Sequence, residues 1–168
     1  RSVNSCLLPV GNISGKHIVT IEGLNHDGVL LNPLQKAFVD EGATQCGFCT
    51  PGFIISLTGY FLNLANGKSA GVIESLDGNI CRCTGHNSII RAAQKVSDKF
   101  TSGDKIITQS DLAEMKIIPE YFLTIHDRLQ NLSQSGEGIN SDSKSYGYFV
   151  GGGTDLFVQR PDEMMNSE

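Results

Sequence analysis

Apolar residues recur through the middle of the chain at the three- and four-residue spacing that predicts amphipathic helices. Asn32-Pro33 and Thr50-Pro51 each join a capping residue to a proline at the first helical position, so each predicts the start of a helix. Asn66-Gly67 predicts the end of the second helix, because both residues tolerate left-handed backbone. The predicted inner faces are Leu34, Ala37 and Phe38 in the first helix and Ile54, Leu57, Phe61 and Leu64 in the second.

Two more helices are predicted before residue 101. Ser69 is expected to cap a short third helix that ends at Asp77-Gly78, and the fourth spans Asn87–Phe100. Helices of this length depend on packing for their stability, so the four are expected to share one small core. Their predicted inward residues are Val72, Ile73 and Leu76, then Ile89, Ile90, Ala93, Val96 and Phe100.

The two ends of the chain show other patterns. His17–Glu22 is β-branched and lies between glycines, which predicts a strand. A single strand cannot form a stable sheet, so residues 1–24 are expected to be the tail of a domain whose body lies upstream. Residues 101–145 are interrupted by Pro119 and end in a Gly/Ser-rich stretch, which predicts an interdomain linker with an ordered first half.

After that linker, Tyr146–Val150 predicts a strand that enters the sequence GGGTDLFVQR. A strand, a glycine turn and a helix start in this order are typical of a phosphate-binding corner. Residues 146–168 are therefore expected to begin another domain.

Four of the five cysteines form two close pairs, C-x2-C in QCGFCTPG and C-x-C in NICRCTG. Thiolates at these spacings ligate either a 2Fe–2S cluster or a structural zinc ion. The C-x-C half is less usual for zinc, and both pairs lie at predicted helix ends, where free N–H groups favour an anionic cluster. The pattern favours iron and sulfide, with a structural zinc-binding interaction module as the alternative. The four residues are Cys46, Cys49, Cys81 and Cys83.

Composition narrows the class of protein. The net charge of −5 argues against a nucleic-acid surface, which needs clustered Lys and Arg. No apolar run reaches the roughly 18–20 residues that cross a bilayer.

An odd cysteine count with metal-ligand spacing favours a reducing compartment such as the cytoplasm. The four histidines show no metal-ligand spacing, and His86 is expected to mark a helix entry. A start at Arg1 without a leader is expected for a segment internal to a longer polypeptide.

The stretch from QCGFCTPG to NICRCTGHNSI closely resembles the helical iron–sulfur domain of the molybdenum hydroxylases, the xanthine dehydrogenase and aldehyde oxidase family. The resemblance covers about residues 1–100 and is strongest to the iron–sulfur small subunits of bacterial xanthine dehydrogenases. It implies a mainly α fold, with a four-helix 2Fe–2S-binding domain at 25–100. The tail of a β-grasp, plant-ferredoxin-like 2Fe–2S domain at 1–24 precedes it. After the linker comes the first strand-turn-helix of an α+β FAD-binding domain.

The same resemblance implies roles for single residues. The four paired cysteines would ligate one 2Fe–2S cluster, and Cys6 in SVNSCLLPV would be the fourth ligand of a second cluster. Gln45 matches a position that contacts the molybdopterin cofactor. The segment that resembles the wrapping around the FAD pyrophosphate consists of Val150, Gly151, Gly152, Gly153, Thr154, Asp155 and Leu156.

The implied function is electron transfer within an oxidoreductase whose catalytic molybdenum site lies on another subunit or domain. Electrons would pass from the molybdenum-pterin site through the 2Fe–2S clusters to FAD, as in xanthine dehydrogenase-like purine oxidation. No catalytic residue is expected in this chain. The implied partners are the molybdenum-binding large subunit and the remaining parts of the ferredoxin-like and FAD domains.

Overall fold

The structure is a computed structural model that describes residues 2–25, 31–68, 71–101, 106–135 and 158–165. These residues are helical or irregular, and none of them forms a β-strand, which confirms the mainly α prediction for this part of the chain. The chain divides into two compact units, Arg1–Ser2 with Val19–Thr124 and Val3–Ile18 with Ile125–Glu168. None of the helices described is long and apolar enough to cross a membrane.

The larger unit has its helices close to where capping signals predict them. Asn32 forms a capping box with Gln35, in which each side chain accepts the other's backbone N–H at 2.9 Å. Gly67 follows the second helix with φ +71°, the left-handed conformation expected of a helix stop. The helices are α1 (Pro33–Asp40), α2 (Thr50–Ala65), α3 (Asn87–Thr101) and α4 (Gln109–Glu114).

Two predicted elements are wrong. In place of the third helix there is only a 3₁₀ turn at Glu74–Leu76, and Ser69, its expected cap, lies outside the described residues. In this turn the Leu76 N–H donates to the Ile73 carbonyl, three residues back. A segment of three residues is too short to form a stable α-helix. The strand expected at His17–Glu22 is absent because no described segment pairs with it, and a 3₁₀ turn begins at Ile21 instead.

One hydrophobic core joins α1, α2 and α3. Helix α2 contacts α1, α4 and the 3₁₀ turns at Glu74–Leu76 and Ile21–Leu24, while α1 packs mainly on α3. Tyr60 of α2 and Ser97 of α3 share a buried hydrogen bond of 3.1 Å between their hydroxyls. The predicted inner faces of α1, α2 and α3 are confirmed for six fully buried side chains: Leu34, Phe38, Ile54, Leu57, Phe61 and Ile89. Among the other predicted inward residues, Leu64, Ile90 and Phe100 are only partly buried, and the prediction for Ile73 is wrong, since it is 41% exposed.

Residues 106–124, placed by sequence in the ordered first half of the linker, pack on the same core. Leu112, Ile117 and Ile118 are at most 1% exposed, and α4 contacts α2. The Tyr121 hydroxyl donates to the Gly23 carbonyl at 2.8 Å. This segment is therefore part of the larger unit, while the domain boundaries at 24, 100 and 145 stay predictions.

The smaller unit contains the 3₁₀ turns Ser5–Leu7 and Val10–Ile13 and the helices α5 (Ile125–Ser135) and α6 (Pro161–Met165). The strand predicted at Tyr146–Val150 and the glycine turn after it lie outside the described residues.

Candidate metal centre

Two loops carry the paired cysteines to the N-terminal ends of α2 and α3. Cys46 and Cys49 end the connection from α1, and Cys49 is the residue that caps α2. Cys81 and Cys83 lie in the loop that leads into α3. Gly47 has φ +81°, which only glycine adopts without strain, and it lets the first loop turn between its two cysteines.

The structure brings the four sulfurs together as two pairs, each with one cysteine from each loop. Cys83 Sγ lies 3.5 Å from Cys46 Sγ, and Cys49 and Cys81 lie close enough for each sulfur to shift the pKa of the other. All four are free thiols. Two thiolates that each lie about 2.3 Å from one tetrahedral metal are roughly 3.8 Å apart, so the observed spacing fits a shared metal.

The four cysteines differ in burial and in the pKa of their thiols. Cys81 is buried and Cys49 half-buried against the core, whereas Cys46 and Cys83 are exposed. Burial, together with the neighbouring Cys81, raises the pKa of the Cys49 thiol to about 11. In the exposed pair, the Phe48 backbone N–H lowers the pKa of Cys46, and the bond to Cys46 raises the pKa of Cys83.

In the second loop, Cys81 is hydrogen-bonded to two later residues of the same loop, Thr84 and His86. The Thr84 hydroxyl lies 3.1 Å from Cys81 Sγ and the Thr84 N–H donates to the same sulfur at 3.5 Å. These two groups lower the pKa of Cys81 to about 7. The Cys81 backbone N–H donates in turn to His86 Nε2 at 3.2 Å.

His86 lies at the entry to α3, as the sequence predicted, and its carbonyl accepts the N–H of Ile90 at 2.9 Å. Its φ of +66° is unusual for a residue with a side chain. The ring packs edge-on against Phe53, with 5.7 Å between ring centroids. Sequence reasoning missed its bond to Cys81, because nothing in the sequence signals that conformation.

The remaining predicted site residues are Gln45, Cys6 and the predicted FAD contacts. Gln45 is exposed beside Cys46, and Cys6 is exposed in the Ser5–Leu7 turn of the smaller unit. The predicted FAD contacts Val150–Leu156 lie outside the described residues.

Sequence reasoning also missed the exposed apolar side chains beside the cysteines. Phe48, between Cys46 and Cys49, is 94% exposed, and Ile80, before Cys81, is 87% exposed. These two are the most exposed of the large apolar side chains in the described part of the chain. An apolar surface therefore flanks the cysteine pairs on both loops.

Residues 20–94, which contain both cysteine loops, match the sequence profile of the family described as the 2Fe-2S binding domain. The chain is also similar to several known enzymes, which confirms the predicted resemblance. It is 40% identical over 114 residues to xanthine dehydrogenase 2 of Arabidopsis thaliana, which covers 66% of this chain and 8% of that protein.

Two other relatives extend this comparison. The chain is 39% identical over 103 residues to a protein of Bacillus subtilis described as a probable xanthine dehydrogenase subunit, covering 61% of this chain and 58% of that protein. It is 34% identical over 96 residues to aldehyde oxidase 3 of Rattus norvegicus, and this match covers 57% of this chain and 7% of that protein. The chain is thus homologous to the iron–sulfur regions of xanthine dehydrogenases and aldehyde oxidases, and spans only part of each relative.

Proposed function

We propose that this chain is the electron-transfer iron–sulfur component of a molybdenum-containing hydroxylase. Its larger unit would hold one 2Fe–2S cluster, with Cys46 and Cys83 on one iron and Cys49 and Cys81 on the other. The observation that carries the proposal is the arrangement of four thiols in two cross-loop pairs. When bound, such a cluster accepts and donates single electrons.

The arrangement supports a cluster over the alternative, a structural zinc-binding interaction module. A structural zinc ion needs four ligands around one point, whereas each iron of a 2Fe–2S cluster takes two thiolates. Among the residues described, no three His, Cys, Asp or Glu side chains converge on one point in this way. The paired geometry therefore matches the two-iron centre better.

The surroundings of the cysteines also suit electron transfer. The N-terminal ends of α2 and α3 place partial positive charge beside a centre whose net charge is negative. The Cys49–Cys81 side is shielded by the core, while the Cys46–Cys83 side reaches the surface, where a partner can approach closely. The exposed Phe48 and Ile80 would be covered by that partner, the molybdenum-binding subunit or domain.

The finer assignments extend the proposal to the rest of the chain. Gln45, exposed beside Cys46, would contact the molybdopterin held by the partner. Residues 1–24 would complete a plant-ferredoxin-like domain in which Cys6 is the fourth ligand of a second cluster. Residues 146–168 would begin the FAD domain, with Val150–Leu156 at the pyrophosphate.

These assignments describe a path from the molybdenum-pterin site through the clusters to FAD. The relatives named xanthine dehydrogenase support purine oxidation as the reaction of the whole enzyme.

Metal analysis after anaerobic purification of the chain tests the cluster directly. We expect about two iron and two labile sulfide per larger unit, with a red-brown colour that fades when dithionite reduces the cluster. Electron paramagnetic resonance of the reduced sample should show one spin per cluster. A colourless protein that carries zinc without iron would contradict the proposal and favour the interaction module.

A further inference from the structure

Two threonines directly follow cysteines of the site, in the dipeptides Cys49-Thr50 and Cys83-Thr84. Each threonine follows a cysteine in the sequence, but their hydroxyls have different hydrogen-bond partners in the structure. The hydroxyl of Thr50 lies 2.9 Å from the hydroxyl of Thr44, with which it shares a hydrogen bond. The hydroxyl of Thr84 lies 3.1 Å from Cys81 Sγ, and the Thr84 N–H reaches the same sulfur at 3.5 Å.

We propose that Thr84 is a positioning residue that raises the reduction potential of the cluster by donating two hydrogen bonds to the Cys81 sulfur. The inference rests on the proposed function, since it requires a cluster on the four cysteines. A thiolate ligand has no proton to give, so the Thr84 hydroxyl must donate to it. Hydrogen bonds to a ligand sulfur withdraw electron density and favour the reduced cluster, which carries one more negative charge.

Burial makes Cys81 the sulfur at which such bonds have the largest effect. Its side of the site is shielded by the core, and a hydrogen bond in a low-dielectric interior is stronger than one in water. Cys46 and Cys83 are exposed, so water can supply donors to their sulfurs without help from the protein. Thr84 therefore acts on the one ligand that solvent reaches least.

The backbone of the loop holds this arrangement in place. His86 Nε2 accepts the Cys81 backbone N–H at 3.2 Å, which fixes the main chain of Cys81 relative to the start of α3. Thr84 lies between these two residues, so the loop places its hydroxyl and its N–H on the same side as the sulfur.

Replacing the hydroxyl while keeping the shape of the side chain tests the role. Thr84→Val retains the backbone N–H and loses the O–H, and Thr84→Ser restores an O–H. The midpoint potential of the cluster in the full chain is measured by a spectroelectrochemical titration, with electron paramagnetic resonance of the reduced form. We expect a lower potential in Thr84→Val, and a potential near that of the wild type in Thr84→Ser.

Thr50→Val is the matched control, because it removes the same group beside a different ligand cysteine. We expect it to keep the wild-type potential, since the Thr50 hydroxyl bonds to Thr44. A Thr84→Val protein with a full cluster and an unchanged potential would overturn the inference. An equal drop in Thr50→Val would overturn it as well, because the effect would then not depend on a bond to sulfur.

If Thr84→Val does not retain the cluster, Thr84→Ala repeats the measurement with a smaller side chain. Resonance Raman spectra in D₂O of the wild type and of the loaded Thr84 variant give a second readout. Deuterium at the Thr84 hydroxyl should shift the iron–cysteine stretching bands more in the wild type than in the variant, and equal shifts in both would overturn the inference. A wild-type chain without any cluster would contradict the proposed function itself, whereas unchanged potentials in loaded variants contradict only the role of Thr84.

Discussion

Cys46 and Cys49 are separated by two residues, but the thiol pKa of Cys46 is lowered and that of Cys49 is raised. The Phe48 N–H stabilises the thiolate of Cys46 at the surface, whereas burial favours the protonated thiol of Cys49. Only the thiolate form of cysteine is nucleophilic, so pKa and exposure together decide which sulfur reacts. In the metal-free protein, Cys46 should therefore be the more reactive of the two thiols in the first loop.

We expect iodoacetamide to modify Cys46 at least about tenfold faster than Cys49 in the reduced, metal-free protein at pH 7. Cys46 has a lowered pKa and is exposed, while the pKa of Cys49 is about 11, so almost none of Cys49 is thiolate at that pH. Raising the pH should narrow the difference as Cys49 begins to ionise. Peptide mapping by mass spectrometry measures both rates, and faster labelling of Cys49 would contradict the assigned environments.

At the scale of the elements, the helices with local start and stop signals were predictable from sequence. Asn32-Pro33 begins α1 and Asn66-Gly67 ends α2 as predicted, because capping depends on neighbouring residues. Thr50-Pro51 predicts the start of α2 to within one residue, but Cys49 and not Thr50 is the capping position, and it makes no side-chain capping bond. The packing of residues 106–124 was not predictable, since its buried residues contact α2, which is distant in sequence.

The candidate site divides in the same way. The sequence predicts which four cysteines act together, because their spacing within each loop is local information. It cannot predict which sulfur of one loop meets which sulfur of the other, because that depends on how α1, α2 and α3 pack. The hydrogen bonds of Thr84 and His86 to Cys81 could not be predicted from the sequence either, because they depend on the conformation of the loop.

Ile117→Ala should lower the free energy of unfolding by about 2–5 kcal/mol, because it removes a fully buried side chain from the core. Ile106→Ala is the matched control in the same segment: Ile106 is 78% exposed, and its loss should change stability by no more than about 0.5 kcal/mol. Urea unfolding followed by circular dichroism measures both. Equal stabilities would show that residues 106–124 behave as a linker after all.

At the scale of the whole molecule, the fifth cysteine belongs to a different compact unit from the other four. Cys6 belongs to the smaller unit, and the four paired cysteines belong to the larger one, whose core includes Cys81. The larger unit has all four thiols that the proposed cluster needs. Its metal content should therefore not depend on Cys6.

Cys6→Ser should keep the iron content and the visible spectrum of the wild type, whereas Cys81→Ser should lose both. Removing Cys81 leaves Cys49 without the partner with which it would share an iron. Iron analysis and absorbance of the two purified variants, prepared side by side without oxygen, measure the difference. Loss of the cluster in Cys6→Ser would contradict the assignment of the four ligands.

The crossed pairing of Cys46 with Cys83 and of Cys49 with Cys81 has a consequence for how the centre can be built. In the proposed cluster, neither loop would supply both ligands of one iron, so a segment containing QCGFCTPG alone would give one sulfur to each iron. Each iron would then join two stretches of chain that are far apart in the sequence, so cluster assembly should be coupled to the packing of α1 on α3.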